Sequence, residues 1–421
     1  MARFWHPFAD MGRVAASGEL VLERGEGVWL WDDQGRRSLD ATAGLWFCNV
    51  GHGRTEIAEA AARQLGALAH YSGYGDFAAR PVLDLADRVC AVAPVPDSAV
   101  FLTSGGGEAV DTAAKMVRRY WSLLGQPERT VVVARERAYH GLNAFGTSLA
   151  GADVFTAGYG TLVPEVVHVA WDSAAALAEA IERDGPERVA AFFCELVIGA
   201  GGVLAPPPGY LAETRRICRE TGVLFVADEV ICGFGRCGDW FASSRWGLEP
   251  DLVTFAKGIT SGYVQLGGVI ASPRVQEPFF RQEGGVFWRH GYTYSGHAGA
   301  CAVGLANLAI FEREGLVERG LALETEIAEA LGPLAAHPLV SEIRAGTGAM
   351  AAVQLDPAAV AADPSLPERA VTAAREAGVL TRMVLGNAFQ VSPALTIERA
   401  ELDELAAGLA TALDACAVMV S

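Results

Sequence analysis

Short apolar runs rich in Val, Ile and Phe alternate along this chain with longer segments of helical spacing. This alternation limits the possible folds more than any other feature of the sequence. We predict strands at residues 131–135, 167–171, 190–196, 223–230, 252–256 and 267–272. Strands that alternate with helices form a mainly parallel sheet covered by helices on both faces. The predicted fold class is therefore α/β.

The helices between these strands are predicted at residues 107–124, 173–184 and 209–221. In the first of them, Ala113, Met116 and Val117 recur at helical spacing. Ligands of open α/β sheets bind beyond the carboxyl ends of the strands. We therefore expect the functional site at that edge of the sheet.

The C-terminal third has a different pattern, in which long helices rich in Ala, Glu, Leu and Arg surround short strands. The predicted helices span residues 316–331, 368–377 and 400–418, and the strands lie near 349–355 and 388–391. Residues 21–40 have the pattern of a hairpin. We predict an N-terminal segment at 1–50 that joins the small domain, a large domain at 51–300, and a small α+β domain at 301–421.

The composition of the 421 residues is that of a well-cored globular protein, with 51% hydrophobic and 20% charged residues. A formal net charge of −17 disfavours binding to nucleic acid or to an anionic membrane. No stretch approaches the roughly 20 apolar residues of a membrane span, and the first residues do not resemble a signal peptide. The eight cysteines form no C-x-x-C pair, so we expect no metal site and a cytoplasmic protein.

Lysine is rare in this chain: only Lys115 and Lys257 occur among 33 basic residues, and the rest are arginine. Lys257 ends an apolar run and precedes Gly258. Arginine solvates a surface equally well, whereas only an amine can lose its proton and form an imine with a carbonyl compound. Lys257 is therefore the candidate nucleophile, and an ordinary lysine at a strand end is the alternative.

A pair of carboxylates, Asp228 and Glu229, closes the apolar run that begins at Val223. A carboxylate and Lys257 on nearby strand ends can face one pocket. A buried aspartate beside a ring nitrogen would keep that nitrogen protonated and make the ring an electron sink. A structural ion pair or a helix cap is the alternative for Asp228.

A Gly-rich loop at residues 104–107 precedes the first predicted helix. The N–H groups at a helix N-terminus bind phosphate, although this loop lacks the residue order of a P-loop or of a dinucleotide fingerprint. A tight strand-to-helix turn is the alternative.

Tyr139 follows the strand at 131–135, where an aromatic ring either stacks on a flat cofactor or packs at the rim of the sheet.

The order of these segments resembles that of the class III (subgroup II) aminotransferases among the fold-type I pyridoxal-phosphate enzymes. The resemblance rests on residues 6–8, 40–46, 104–108, 139–141, 195–202, 228–230, 255–258 and 293–297. Residues 44–46 and 117–121 resemble the ω-amine:pyruvate (β-alanine:pyruvate) branch in particular. The resemblance implies a large, mainly parallel seven-stranded α/β/α domain, a smaller α+β domain, and pyridoxal 5′-phosphate (PLP) as the cofactor.

The resemblance also implies a role for each matched residue. Lys257 would hold the cofactor covalently and shuttle protons, and Asp228 would pair with the pyridinium nitrogen. Tyr139 and Val230 would pack on opposite faces of the ring. The backbone N–H groups of Gly106 and Gly107 would hold the phosphate, with Ser104 and Gly105 near them. Glu195 would lie close to Asp228, and His140 would support Asp228. Thr293 would reach the phosphate in the other subunit of a homodimer, and two such dimers could pair into a tetramer.

Two departures from the family pattern matter. The family commonly has Ser-Gly-Ser-Glu where this chain has Gly105, Gly106, Gly107 and Glu108, so two hydroxyl contacts are lost and we expect weaker cofactor retention. The usual Glu-Pro is replaced by Glu195-Leu196, which changes the local turn but keeps the carboxylate.

For the substrate, the resemblance implies that Trp46 forms a wall of the large pocket, with Tyr74 or Phe77 on the other side. Arg382 would pair with a substrate carboxylate, which suits a guanidinium, and would swing away for an apolar amine. The implied reaction moves an amino group from an ω-amino acid or an amine to pyruvate, in a ping-pong cycle.

Three other functions remain open on the sequence. An aminomutase or amino-acid epimerase of the same fold would use Lys257 and Asp228 but return the amino group to the same substrate. A 4-aminobutyrate or ornithine-type transaminase would use 2-oxoglutarate. A non-enzymatic phosphate binder would leave Lys257 and Asp228 unexplained.

Overall fold

The structure, a computed structural model, describes residues 3–281 and 285–417. In chain order the strands are β1 (Leu22–Glu26), β2 (Trp29–Asp32), β3 (Arg37–Asp40), β4 (Ala99–Thr103), β5 (Val131–Arg135), β6 (Val166–Val169), β7 (Val189–Glu195), β8 (Leu224–Asp228), β9 (Leu252–Phe255), β10 (Gly267–Ala271), β11 (Val340–Arg344), β12 (Ala351–Leu355), β13 (Val379–Leu380), β14 (Met383–Val384) and β15 (Ala388–Val391).

The α-helices are α1 (Met11–Ser17), α2 (Ala43–Trp46), α3 (Thr55–Leu68), α4 (Arg80–Ala91), α5 (Gly106–Leu123), α6 (Ala144–Leu149), α7 (Ala174–Asp184), α8 (Tyr210–Thr221), α9 (Ala242–Arg245), α10 (Pro273–Phe280), α11 (Ala298–Glu314), α12 (Leu316–Leu331), α13 (Pro357–Ala362), α14 (Leu366–Glu376) and α15 (Arg399–Ala417). Short 3₁₀ turns lie at Asp153–Phe155, Lys257–Ile259 and Gly332–Ala336. Within the described ranges, no helix is long and apolar enough to cross a membrane.

The centre of the molecule is a seven-stranded sheet with the order β4-β10-β9-β8-β7-β5-β6. Its strands run parallel except for β10, which is antiparallel to both β4 and β9. Every residue of β5, β7 and β8 is buried. Continuous apolar runs are typical of parallel strands covered on both faces, and this explains why the sequence pattern predicts them well. The predicted α/β fold is confirmed.

Two four-stranded sheets flank this centre, with the orders β1-β2-β3-β13 and β11-β12-β15-β14. In the first, β3 pairs in parallel with β13, so that Leu39 lies opposite Val379. The N-terminal hairpin is therefore joined to the C-terminal part of the chain through backbone hydrogen bonds. The domain boundaries at residues 50 and 300 remain predictions.

Strand β4 and helix α11 are missing from the predicted elements for physical reasons. Strand β4 is a short edge strand with only two buried residues. Helix α11 is buried around most of its circumference by small and apolar residues such as Gly299, Cys301 and Val303. A helix without a polar face has no 3.6-residue periodicity for a sequence pattern to reveal.

A buried arginine, Arg236, forms hydrogen bonds to both the N-terminal segment and the C-terminal third of the chain. Arg236 is 0% exposed. Its Nη1 donates to the carbonyl oxygens of Ala349 (2.8 Å) and Pro393 (2.7 Å), and its Nη2 donates to Oδ1 of Asn49 (2.6 Å). Burial lowers the pKa of the Arg236 guanidinium to about 10. The N-terminal segment and the C-terminal third thus share one buried donor on the segment after β8.

We expect Arg236→Met to cost about 3 kcal/mol of folding free energy, because three oxygens would lose their donor where water does not reach. The measurement is the urea midpoint of unfolding. Arg216→Met is the matched control, since Arg216 forms exposed ion pairs on helix α8 with Glu213 and Glu220, and such pairs contribute little. Equal midpoints for the two variants would contradict the role of Arg236.

Candidate active site

The carboxyl ends of β7 and β8 bring two carboxylates to one edge of the sheet. Glu195 is the last residue of β7 and lies opposite Asp228, the last residue of β8, in the parallel register. Both side chains are nearly inaccessible, at 3% and 4% exposure. Lys257 follows the next strand, β9, as the register of a parallel sheet predicts. The expected edge of the sheet therefore carries the site.

Asp228 is held by donors from three separate segments. Its Oδ1 accepts from the backbone N–H of Val230 (3.1 Å) and from the hydroxyl of Thr254 (3.0 Å). Its Oδ2 accepts from Nδ1 of His140 at 2.6 Å. A carboxylate accepts only, so His140 carries its proton on Nδ1 in this pair. The predicted support of Asp228 by His140 is thus present as a direct hydrogen bond.

The carboxylate of Glu195, unlike that of Asp228, accepts hydrogen bonds only from backbone N–H groups in the part of the chain that the structure describes. Its two oxygens accept from the backbone N–H groups of Tyr139 (2.8 Å) and Gly199 (3.0 Å). Burial raises the pKa of the Glu195 carboxyl, an effect opposed by the nearby His140 and by these backbone hydrogen bonds. Glu195 therefore holds the Tyr139 segment in place.

Lys257 opens a 3₁₀ turn with a backbone φ of 49°. A lysine in the left-handed region costs about 1 kcal/mol, so the surrounding structure enforces this conformation. Burial lowers the pKa of the Lys257 amine to about 8, against the opposing charges of Asp228 and Glu195 and with help from Arg382. A much larger fraction of this amine than of an ordinary lysine is therefore neutral, and nucleophilic, near neutral pH.

The Gly-rich loop forms the N-terminus of helix α5. Gly105 is the N-cap, and the backbone N–H of Ser104 donates to Oε2 of Glu108 at 2.8 Å. A Cβ on Gly106 would lie only 2.9 Å from Cγ1 of Val230, so a glycine is required at that contact. The first N–H groups of α5 have no partners within the helix and are available to an anion.

These groups line one cavity of about 180 Å³. Its lining residues are Leu45, Gly106, Gly107, Val110, Tyr139, His140, Gly141, Glu195, Asp228, Val230, Ile231, Ala256 and Lys257. A second cavity of about 440 Å³ shares Gly106 and Lys257 with the first and is also lined by Ser104 and Gly105. The structure therefore brings the predicted cofactor residues together, apart from Thr293.

Thr293 lies on an exposed turn, where its carbonyl oxygen accepts from Nε2 of His70 at 3.1 Å. Tyr74 and Phe77 are each 57% exposed and line neither cavity. The contact of Thr293 with a second subunit and the substrate role of Tyr74 or Phe77 remain predictions.

The role of Trp46 as a wall of the substrate pocket remains a prediction. Trp46 is 1% exposed and packs in the core, while the preceding residue, Leu45, is 43% exposed and lines the cavity. The backbone here is irregular, with φ values of 65° at Gly44 and 68° at Trp46. Asp40 fixes this geometry by accepting from the backbone N–H of Gly44 at 2.6 Å.

Arg382 lies between β13 and β14 and is partly buried. Its Nε donates to Oε1 of Gln390 at 2.7 Å. Burial lowers the pKa of the Arg382 guanidinium, while the neighbouring Tyr139 opposes that change. The charge of Arg382 also helps to lower the pKa of Lys257, and it opposes the rise in the pKa of Tyr139, although Arg382 lines neither cavity.

Several lining or supporting residues were not predicted. Leu45, Val110, Ile231 and Ala256 are apolar neighbours of the recognised motifs, and their composition carries no chemical signal. Thr254 is a different case: it lies in the strand before Lys257, and its hydroxyl reaches Asp228 on the adjacent strand. Only the register of the two strands reveals that contact.

Sequence comparison assigns the protein to a class. The profile of the family described as "Aminotransferase class-III" matches residues 13–413, and the chain therefore belongs to the class-III aminotransferases. The protein is accordingly a PLP-dependent transaminase of fold-type I.

Individual relatives are similar over nearly their full length. The chain is 39% identical to the putrescine–pyruvate aminotransferase of Pseudomonas aeruginosa, over 98% of this chain and 94% of that protein. It is 39% identical to the diaminobutyrate–2-oxoglutarate transaminase of Halomonas elongata, over 92% of this chain and 88% of that protein. The solved (S)-enantioselective omega-transaminase of Thermomicrobium roseum has a TM-score of 0.94 and 40% identity, covering 98% of this chain and 96% of that one.

The cavity fits PLP in its chemistry. It is lined by an aromatic ring at Tyr139 and a branched side chain at Val230, which suit the two faces of a flat ring. The start of helix α5 at Gly106 suits a phosphate, and the buried Asp228 suits a protonated ring nitrogen. Lys257, with its lowered pKa, suits the aldehyde carbon.

The pKa of Lys257 gives a prediction for the apoenzyme. The rate of its covalent reaction with PLP should rise with pH and level off above about 8, because only the neutral amine attacks the aldehyde. Asp228→Asn should move the midpoint lower, since the Asp228 charge raises the pKa of Lys257 against the larger effect of burial. Stopped-flow absorbance measures both rates. A midpoint near the ordinary value of 10.5 would contradict the account.

The three glycines of the loop give a second prediction. Gly105→Ser should tighten PLP binding by about tenfold, through one added hydrogen bond to a charged group. A Cβ at Gly105 meets nothing within 4 Å, and the backbone there is extended. Gly106→Ser should weaken binding, because its Cβ would clash with Val230. Titration of the apoenzyme gives the Kd values; unchanged affinity in Gly105→Ser would show that the absent hydroxyl does not limit cofactor retention.

Proposed function

We propose that this transaminase moves an amino group from an ω-amino acid or an amine to pyruvate. The observation that carries the proposal is the partly buried guanidinium of Arg382, whose charge acts on Lys257 and Tyr139 in a cavity that is also lined by the apolar side chain of Leu45. A cation pairs with the carboxylate of a keto acid, whereas an apolar wall suits the carbon chain of an amine. The similarity to a putrescine–pyruvate aminotransferase supports the same acceptor.

PLP, when bound, supplies an electron sink for the carbon that carries the amino group. Asp228, with His140 behind it, keeps a proton on the ring nitrogen. Tyr139 and Val230 would pack against the two faces of the ring, and the N–H groups of Gly106 and Gly107 would hold the phosphate. The chain thus orients the cofactor from four directions.

Lys257 acts as the proton carrier of the reaction. With the cofactor bound, its neutral amine would accept the proton from the donor's carbon and would return a proton to the cofactor, a role that its lowered pKa suits. The bound cofactor would store the amino group between the two halves, with water supplying the oxygen of the carbonyl product, and the donor and the keto acid would occupy the same place beside Lys257 in turn. One set of residues therefore serves both halves of a ping-pong cycle.

We further propose a homodimer in which Thr293 approaches the phosphate of the partner's cofactor. Several large side chains are exposed in the single chain, which is typical of an interaction surface; they are Tyr71, Tyr74, Phe77, Phe287 and Tyr294. Thr293 lies on the same surface, and the cavity lined by Ser104 and Gly105 is open to an added side chain. Dimers that pair into tetramers are compatible with this arrangement.

A second acceptor, 2-oxoglutarate, is supported by the similarity to a diaminobutyrate–2-oxoglutarate transaminase. An aminomutase or epimerase of the same fold would return the amino group to its substrate. The absorbance of the purified holoenzyme separates these functions when β-alanine, putrescine, 4-aminobutyrate or 1-phenylethylamine is added alone. Loss of the visible band, and its recovery with pyruvate but not with 2-oxoglutarate, supports our proposal. Recovery with 2-oxoglutarate alone would overturn it.

The role of Arg382 gives the quantitative test. Arg382→Ala should raise the KM for pyruvate by at least about tenfold, the value of one hydrogen-bonded charge contact. The kcat/KM for 1-phenylethylamine should change far less, because that donor has no carboxylate. Steady-state kinetics with each substrate varied in turn measure both. An unchanged KM for pyruvate would remove Arg382 from the acceptor site.

A further inference from the structure

Gln390 is a fully buried residue of strand β15 that forms two hydrogen bonds with Arg382. Its side-chain Oε1 accepts from Nε of Arg382 at 2.7 Å. Its backbone N–H donates to the carbonyl oxygen of Arg382 at 2.9 Å. One residue therefore fixes both the backbone and the side-chain direction of the arginine.

The orientation of the Gln390 amide is itself fixed. Its Nε2 donates to Oγ of Ser392 at 2.7 Å, and that hydroxyl donates to the carbonyl oxygen of Thr42 at 3.4 Å. In this series of hydrogen bonds, each group donates to the next one, from Arg382 through Gln390 and Ser392 to the carbonyl oxygen of Thr42. A reversed amide would place an N–H₂ group against the Nε–H of Arg382, so the acceptor oxygen always faces the guanidinium.

This contact selects which edge of the guanidinium is free. Nε of Arg382 is occupied by Gln390, whereas its two terminal nitrogens have no hydrogen-bond partner within the residues that the structure describes. A guanidinium pairs with a carboxylate through two parallel N–H groups. The terminal edge is therefore the one presented to a substrate carboxylate.

The same chain of hydrogen bonds reaches the apolar wall of the cavity. The backbone N–H of Ser392 donates to the carbonyl oxygen of Ala41 at 2.7 Å, and Oγ1 of Thr42 donates to the carbonyl oxygen of Gly44 at 2.9 Å. Leu45 follows directly and lines the cavity. The orientation of Arg382 and the loop that carries Leu45 thus share one buried network.

We propose that Gln390 is a specificity-determining positioning residue, which holds Arg382 in its carboxylate-binding orientation and opposes its displacement by an apolar amine. The proposal rests on the proposed function, in which Arg382 binds the keto acid. Gln390 acts through Arg382 and does not touch the substrate. Loss of its acceptor oxygen has opposite consequences for the two substrate classes: weaker binding of a keto acid, and equal or better use of an apolar donor.

The test is steady-state kinetics of the holoenzyme with Gln390→Met, in which a side chain of similar length lacks the acceptor. The KM for pyruvate should rise by about tenfold, because a hydrogen bond to a charged group is lost. The kcat/KM for 1-phenylethylamine should stay the same or rise.

Gln354→Met is the matched control. Gln354 lies on the adjacent strand β12, and its Oε1 accepts from Nη2 of Arg344 at 3.0 Å, but it lines neither of the two site cavities. Gln354→Met should leave both kinetic constants unchanged.

Two further variants keep the test decisive. Ser392→Ala removes the group that fixes the amide and should raise the KM for pyruvate by a few fold in the same direction, even if Gln390→Met folds poorly. The double variant Arg382→Ala/Gln390→Met should have the KM for pyruvate of Arg382→Ala alone, because Gln390 acts only through Arg382.

The outcomes separate this inference from the proposed function. If Arg382→Ala raises the KM for pyruvate but Gln390→Met and Ser392→Ala do not, the role of Gln390 is wrong and the acceptor site stands. If Arg382→Ala itself has no effect, the proposed acceptor site fails. Equal losses toward pyruvate and 1-phenylethylamine in Gln390→Met, or additive effects in the double variant, would show a merely structural role and overturn the inference.

Discussion

The hydrogen-bonded burial of Asp228 at the carboxyl end of β8 is the interaction on which the rest of the site depends. A carboxylate in that position is costly unless donors surround it, and the fold supplies them from Val230, Thr254 and His140. These donors come from the next segment, the adjacent strand and the loop after β5. The sheet therefore has to be assembled before the site exists, and the site in turn fixes where three segments lie.

The electrostatics of the site follow from the same burial. Burial alone would make Lys257 a weak base, and the carboxylates of Asp228 and Glu195 partly restore its basicity. The balance leaves the pKa of the amine at about 8, between that of an ordinary lysine and that of an isolated buried one. A proton carrier works best when its pKa lies near the working pH, so these opposing effects suit the role that we propose for Lys257.

Much of the site could be predicted from the sequence because its chemistry lies at strand ends. Asp228, Lys257 and the loop at Gly106 close or follow apolar runs, and a parallel sheet brings such ends together. Trp46 could not be placed in this way. Gly44 and Trp46 have positive φ values, and Leu45 between them lines the cavity, which no spacing along the chain reveals. Helix α11 was missed because a helix buried on nearly all sides has no amphipathic pattern. The contacts of Gln390 and Thr254 depend on strand register, which spacing along the chain does not reveal.

We expect the cofactor to be bound by Lys257 and not by the exposed Lys115. Lys115 lies on the surface of helix α5, where its Nζ contacts Nδ1 of His290 at 2.8 Å. Borohydride reduction of the holoenzyme, followed by peptide mass spectrometry, locates the attachment directly. The account predicts the mass of the reduced cofactor on the peptide that contains Lys257 and none on the peptide that contains Lys115. Attachment at Lys115, or at neither lysine, would contradict it.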